Sequence, residues 1–285
     1  MNTLHPATRP LVSILIKTSF LLLFLSACQS TGNGPLTPPT APLVAKKIET
    51  PVPAKPRIKR KKKKIYLTFD DGPNRGTQKV LHIMQEEAVP VSFFIVGAHV
   101  FASVGQQQTW DSLKMATQIE LCNHSFSHAH NRYRRFYNEP DSVVSDFKRS
   151  ADSLQLDNRI CRTPGRNAWR IDTLQFTDLA KSKRAVDSLQ KAGFAILGWD
   201  LEWHFNAKDL RLEGTADDLI REIDSVFAKH KTRTPDCLVL LAHDQVYADA
   251  IDSAELRNFI KLLKCREEDY ELELVSNYPG IKGLQ

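Results

Sequence analysis

No two cysteines in this 285-residue chain stand in a CxxC spacing, which argues against a thiolate zinc site. No glycine-rich phosphate loop follows the first apolar run of the folded region, which weakens the case for a flat, doubly wound nucleotide-binding sheet. Between Ser30 and Arg57 there is no aromatic residue; that stretch is rich in Pro, Thr, Gly and Ala and cannot bury a core. Excess positive charge is also missing where it would matter. The whole chain carries +6, yet from Ile65 onward 27 Lys plus Arg face 32 Asp plus Glu, a net of about −5. The folded part is mildly acidic, so nucleic acid is not an expected partner.

The charge that is present lies near the N-terminus. His5, Arg9 and Lys17 precede the apolar run "FLLLFLSACQS", which stops at small residues, the form of an export signal. Leu25-Ser26-Ala27-Cys28 resembles a bacterial lipobox, which implies acylation of Cys28 and a membrane-anchored lipoprotein. The expected organisation is a signal peptide over 1–27, a Pro-rich and basic tether over 28–64, and a catalytic domain over 65–285. The tether ends in "RIKRKKKK", suited to anionic head groups, to an acidic cell-wall polymer, or to solvent alone. "QSTGNG" after Cys28 holds no acidic cluster, and the expected location is the periplasmic side of a Gram-negative envelope. Cys122, Cys161, Cys237 and Cys265 are expected as free buried thiols, although an exported compartment permits bridges.

From Ile65 the chain alternates. Apolar runs at 65–69, 92–97, 119–123, 159–162, 194–199, 237–242 and 271–275 are separated mostly by helical periodicity, as in "TQKVLHIMQEEA", "DSVVSDFKRSADSL" and "TADDLIREIDSVFAKH". This predicts an α/β fold, a distorted or incomplete (β/α) barrel with about seven parallel strands. In such a barrel chemistry gathers where strands run into their following loops. Asp70 and Asp71 end the first run, His124 the third, Arg162 and Pro164 the fourth, Asp200 and Glu202 the fifth, and His243 and Asp244 the sixth. "HSFSH" sets His124 and His128 at i and i+4, one face of a helix if the segment is helical. Two imidazoles and a carboxylate form a recurring catalytic ligand set for zinc, with cobalt, nickel and iron as alternatives. A divalent cation would also explain two adjacent aspartates, since it neutralises one and leaves the other free as a base.

"TFDDGP", "HSFSH", "RTPG", "WDLEW" and "LLAH", in that order, resemble the motifs of the polysaccharide deacetylases, the NodB-homology domain of carbohydrate esterase family 4, over about residues 64–276. The resemblance implies metal-dependent removal of acetyl groups from N-acetylated sugars. It implies Asp70 as general base, Asp71, His124 and His128 as metal ligands, Arg162 as the residue orienting Asp70, and His243 as general acid. A backbone N–H following Pro164 would hold the oxyanion. Two departures stand out. Gly165 occupies the place of the family's third-motif tyrosine, with Arg166 next, and the fourth motif offers Asp200 or Glu202 as the carboxylate pairing with Arg162 or tuning His243. Trp203 or Trp199 would pack against acetyl or sugar, or belong to the core.

The expected substrate is a glycan, peptidoglycan first, acted on by a monomer; an O-acetyl esterase, a small-molecule amidase and an inactive glycan-binding barrel are the alternatives. His99, His130 and His204 read as structural or exposed, and Asp244 as a partner for a rim histidine or a turn residue. "NRYRR", residues 131–135, is either a solvated loop or a contact for an acidic glycan or peptide carboxylate.

Overall fold

Apolar runs become strands and amphipathic runs become helices in the predicted order. The computed structural model describes residues 61–281, beginning with β1 (Lys63–Gly72), α1 (Thr77–Glu86), β2 (Val91–Ile95), α2 (Gly97–Val100), α3 (Val104–Met115) and β3 (Ile119–Asn123). There follow α4 (Tyr133–Asn138), α5 (Pro140–Leu154), β4 (Ile160–Cys161), β5 (Ala168–Ile171), β6 (Leu174–Thr177), α6 (Lys183–Lys191) and β7 (Ala195–Ile196). The chain continues through β8 (Leu201–Glu202), β9 (Phe205–Asn206), β10 (Arg211–Leu212), α7 (Ala216–Ala228), β11 (Cys237–His243), α8 (Ala250–Lys264) and β12 (Tyr270–Leu272). The segments expected as signal peptide and tether up to Arg60, with Cys28, lie outside the described residues.

The main sheet runs β6-β5-β7-β4-β3-β2-β1-β11-β8, with β12 paired to the start of β1. All seven predicted strands are present and parallel, and the sheet curls into a half-barrel covered by helices. β8 extends it in parallel beside β11. The hairpin β5–β6 is antiparallel and was not predicted. Its strands are four residues long, and Arg170 interrupts the first with a buried guanidinium bound to Asp187 and to the carbonyls of Trp169 and Phe176. A buried charge in so short a run hides the strand from any apolar pattern.

β1 explains the layering. Ile65 through Asp70 are buried on both faces, as a central parallel strand requires. Ile65, Leu67 and Phe69 join the outer layer with residues of α1, α3, α7 and α8, while α4, α5 and α6 pack over β4, β5 and β7. Tyr66, Phe94, Cys122, Trp169, Leu197 and Val239 fill the concave side, so the barrel is packed below its mouth. The first strand also starts earlier than expected. Lys63 and Lys64, assigned to the tether, donate backbone N–H groups to Asp269 and Asp236, and the Lys64 ammonium pairs with Glu273 at 2.8 Å. Cys122, Cys161 and Cys237 are buried free thiols as expected; Cys265 is free but exposed.

Candidate active site

The concave face of β1 carries Tyr66, Thr68 and Asp70 by strand alternation. Asp70 is therefore delivered to the barrel mouth with its side chain 4% exposed. Arg162, just past β4, is fully buried and donates from Nη1 to Asp70 Oδ1 at 2.7 Å and to Thr68 Oγ1 at 2.8 Å. Nε donates to the carbonyl of Leu197 at 3.1 Å and Nη2 to that of Gly198 at 3.0 Å, and the guanidinium lies 4.0 Å over the Phe94 ring. All the guanidinium nitrogens are thus engaged, so its position is fixed from several sides. The other Asp70 oxygen, Oδ2, lies 3.6 Å from His124 Nε2.

Asp71 follows at φ 74, a left-handed conformation that turns its carboxylate away from the strand alternation. His99 Nδ1 meets the Asp71 carbonyl at 2.7 Å and steadies that turn. Asp71 Oδ1 lies 3.4 Å from His124 Nε2 and 3.0 Å from His128 Nε2, and it is buried without a hydrogen-bond partner of its own. One ligand atom from each of Asp71, His124 and His128 lies within 4.8 Å of the others. The far ring nitrogens are held too: His124 Nδ1 meets the Arg162 carbonyl at 2.9 Å and His128 Nδ1 meets Asn131 Oδ1 at 3.3 Å. With Nδ1–H donated outward, both Nε2 lone pairs face the carboxylate, the arrangement metal-binding histidines require. The donor set and the unpartnered Oδ1 fit a divalent cation. Without a cation, the same two imidazoles protonated at Nε2 take its place: burial opposes ionisation of Asp71, yet their hydrogen bonds and positive charge outweigh it and hold its carboxyl well below the usual range.

The histidine pair does not ride on a helix, contrary to the i, i+4 reading. β3 ends at Asn123, and the chain passes through Ser125 at φ 66 and His128 at φ 49. Asp146 of α5 pins this loop by accepting the Phe126 and Ser127 N–H groups, at 3.0 and 3.2 Å. A tight loop folded back on itself can bring positions four apart together just as a helical turn does.

His243 ends β11 directly opposite Asp70 in the parallel register. Its Nδ1 is buried without a partner, and its ring lies 5.1 Å from that of Phe205. Asp244 does not reach a rim histidine. It is fully buried and accepts from Asn74 and Thr77, tying the loop after β1 to the end of β11. Burial pushes its carboxyl up to about 7; Thr77 and Asn74 pull it down, while Asp71 and Asp70 add to the rise.

After Arg162, the Arg166 N–H bonds to the Thr163 carbonyl, and the Thr163 hydroxyl to the Arg166 carbonyl, at 3.2 and 2.8 Å. They close a turn around Pro164 and Gly165. Pro164 is buried, with its carbonyl accepting the Tyr137 hydroxyl at 2.7 Å, whereas Gly165 is exposed at φ 62. A Cβ on Gly165 would come within 3.0 Å of the Tyr133 ring, which stands edge-on to His128 at 5.8 Å.

Three sequence readings change. Trp203 is 3% exposed and packs in the outer core against Tyr247 and Phe259, so it offers no face to a sugar; Trp199 is the partly exposed indole of that motif. Asp200 spends both oxygens on the backbone N–H groups of Arg233 and Val239, at 2.7 and 2.8 Å. Burial pushes its carboxyl up to about 6 against those two bonds. Glu202 has its nearest cationic partner in His204, at 3.7 Å. Neither carboxylate bonds to Arg162 or His243, whose surroundings are described above. Thr68, His99, Asn131, Tyr133 and Asp146 belong to the site's surroundings without having been assigned there from sequence. Only the clustering of "NRYRR" just after "HSFSH" signalled any of them.

Residues 57–168 match the family model described as polysaccharide deacetylase. The chitin disaccharide deacetylase of Vibrio alginolyticus is 22% identical over 304 residues, an alignment spanning 75% of this chain and 71% of that one. Among solved structures, a Streptococcus mutans CE4 esterase superposes with a TM-score of 0.56 at 24% identity, covering 74% of this chain and 86% of that one. The catalytic domain of peptidoglycan N-acetylglucosamine deacetylase from Eubacterium rectale gives a TM-score of 0.54 at 20% identity, with coverage of 75% and 89%. At these identities the structural likeness shows a shared fold. The family-model match covers less than half of the chain.

Proposed function

We propose that this protein hydrolyses the acetamido groups of an N-acetylated envelope polysaccharide, peptidoglycan first, with one divalent cation, zinc first, held by Asp71, His124 and His128. The observation that carries the reading is the juxtaposition of two aspartates with different surroundings. Asp71 faces two imidazoles, while Asp70 is clamped by Arg162 at 2.7 Å. A cation held at the first supplies polarisation of the acetyl carbonyl and acidifies water beside it.

The protein's own residues do the rest. Asp70 takes a proton from the attacking water, with Arg162 holding one carboxylate oxygen and leaving Oδ2 toward the cluster. The Gly165 N–H, in its tight turn, donates to the carbonyl oxygen as negative charge builds there. His243, across the β1–β11 register, gives the leaving amine its proton. The names of similar proteins, a chitin disaccharide deacetylase and a peptidoglycan N-acetylglucosamine deacetylase, support a glycan substrate. The lipobox-like stretch ending at Cys28 supports an exported, lipid-anchored chain working beside the cell wall.

The test is acetate release by the purified chain from N-acetylglucosamine oligomers and from peptidoglycan, with zinc and then with a chelator. Release that stops with the chelator and returns with the metal is the expected result. No release from either polymer in the metal-loaded protein would remove the proposal.

A further inference from the structure

A cleft of about 840 Å³, a size that accommodates a sugar or peptide group, is lined by Asn131 and Tyr133, the two residues that contact His128. Five cationic side chains line it, Arg132, Arg134, Arg135, Arg166 and Lys181, against the single carboxylate of Glu139. This is a concentration of positive charge on a body that, from Ile65 onward, carries more acid than base. Among the described residues, Arg132, Arg134, Arg135 and Lys181 enter no ion pair, and Arg166 reaches Asp178 only at 3.4 Å. The Nε of Arg166 is buried with no partner.

Crowded like charges repel, and a bound anion converts that repulsion into attraction. Arginine dominates the set, and its planar fork matches a carboxylate with two parallel bonds. Two residues that line the cleft also contact the candidate metal cluster. Asn131 meets His128 Nδ1 at 3.3 Å, and the Tyr133 ring stands edge-on to His128 while covering Gly165. A glycan with its acetamido group at the cluster would pass over Tyr133 and bring its next substituents among the arginines.

We infer that this cleft holds a carboxylate of the substrate, so that the protein selects a carboxylate-bearing glycan over a neutral one. The inference rests on the deacetylase reading for what occupies the neighbouring site, but its test does not depend on turnover.

The test is calorimetric binding of the full chain to soluble peptidoglycan fragments, with and without their peptides, and to chitin oligomers of equal length. An Arg132→Gln/Arg135→Gln variant and its Arg132→Lys/Arg135→Lys counterpart are measured alongside. The anionic fragments are expected to bind about ten-fold more tightly than the neutral oligomers at low salt. The glutamine variant is expected to lose about ten-fold on the anionic fragments, the worth of one good charge-assisted contact, with an unchanged unfolding midpoint. The lysine variant recovers part of that loss. Fragments stripped of peptide expose a lactyl carboxylate on the sugar, so tighter binding to them assigns the anion to the sugar, and weaker binding assigns it to the peptide. Equal binding of neutral and anionic glycans overturns the inference, as does no binding to either. Fragment binding indifferent to the glutamine variant also overturns it, and moves the attraction to basic residues 57–64. Variant-sensitive binding without acetate release would leave the cleft standing and remove the deacetylase reading alone.

Discussion

Arg162 reaches across the barrel from the end of β4 to the end of β1 and donates to Asp70 at 2.7 Å, with both side chains almost completely buried. A lone buried charge is costly, and here each charge compensates the other. Removing the guanidinium strands an anion and also leaves the Leu197 and Gly198 carbonyls without their donors. Arg162→Met is therefore expected to lower unfolding free energy by about 3–5 kcal/mol at pH 7. In an Asp70→Asn background the same change should cost about 1–3 kcal/mol less, a coupling read from a double-mutant cycle in urea. Independent, additive losses would contradict the pairing.

The metal cluster predicts linkage between metal and stability. Zinc at about 100 times its dissociation constant should add about 2.7 kcal/mol, or about 5–10 °C in Tm for a domain of this size. Asp71→Asn and His128→Ala should lose the gain and bind substoichiometric zinc by elemental analysis. A zinc-dependent rise in Tm that survives both substitutions would place the metal elsewhere.

Asp244 predicts a pH dependence. Its carboxyl is raised to about 7 in the folded protein, chiefly by burial, against an unfolded value near 3.8. Between those values the folded state holds a proton that the unfolded state has lost. Its contribution is therefore most favourable below pH 4 and declines as pH rises through 7. Measured in chelator, the stability of wild type relative to Asp244→Asn should fall by about 2–4 kcal/mol between pH 4 and pH 8. A flat difference would mean that Asp244 is ionised throughout.

Gly165 predicts a steric penalty with two separable parts. Alanine there meets a left-handed φ of 62 and the Tyr133 ring at 3.0 Å. The backbone part alone costs about 1–2 kcal/mol. Gly165→Ala should exceed that figure in the native background and return to it when Tyr133→Ala is also present, as read by chemical denaturation.

The parallel frame was legible because each strand is an apolar run and most are followed by a helix with its own period. "TFDDGP" and "HSFSH" were legible because adjacent aspartates and paired histidines are chemically conspicuous. Other parts were not. The β5–β6 hairpin hides behind Arg170, whose buried charge is satisfied by Asp187 from a later helix. The histidine loop reads as helical because spacing alone does not report Ser125 at φ 66 or the Asp146 carboxylate that pins it. Alternation places Asp200 and Glu202 on one strand face, yet β8 begins only at Leu201, and Asp200 turns its oxygens to the backbone N–H groups of Val239 and Arg233. Trp203 shows the limit of reading an aromatic at a strand end. One residue of alternation separates the mouth from the outer core, and Trp203 lies on the core side.

The division of labour between the two adjacent aspartates is the center of the account, and Asp70→Asn tests it most directly. Asparagine keeps the shape of Asp70 and leaves Asp71, His124 and His128 untouched. The variant should bind zinc with wild-type stoichiometry while acetate release falls by about 10²–10⁴-fold, the usual worth of a general base. Wild-type release from the zinc-loaded variant would contradict the assignment of Asp70 as the base.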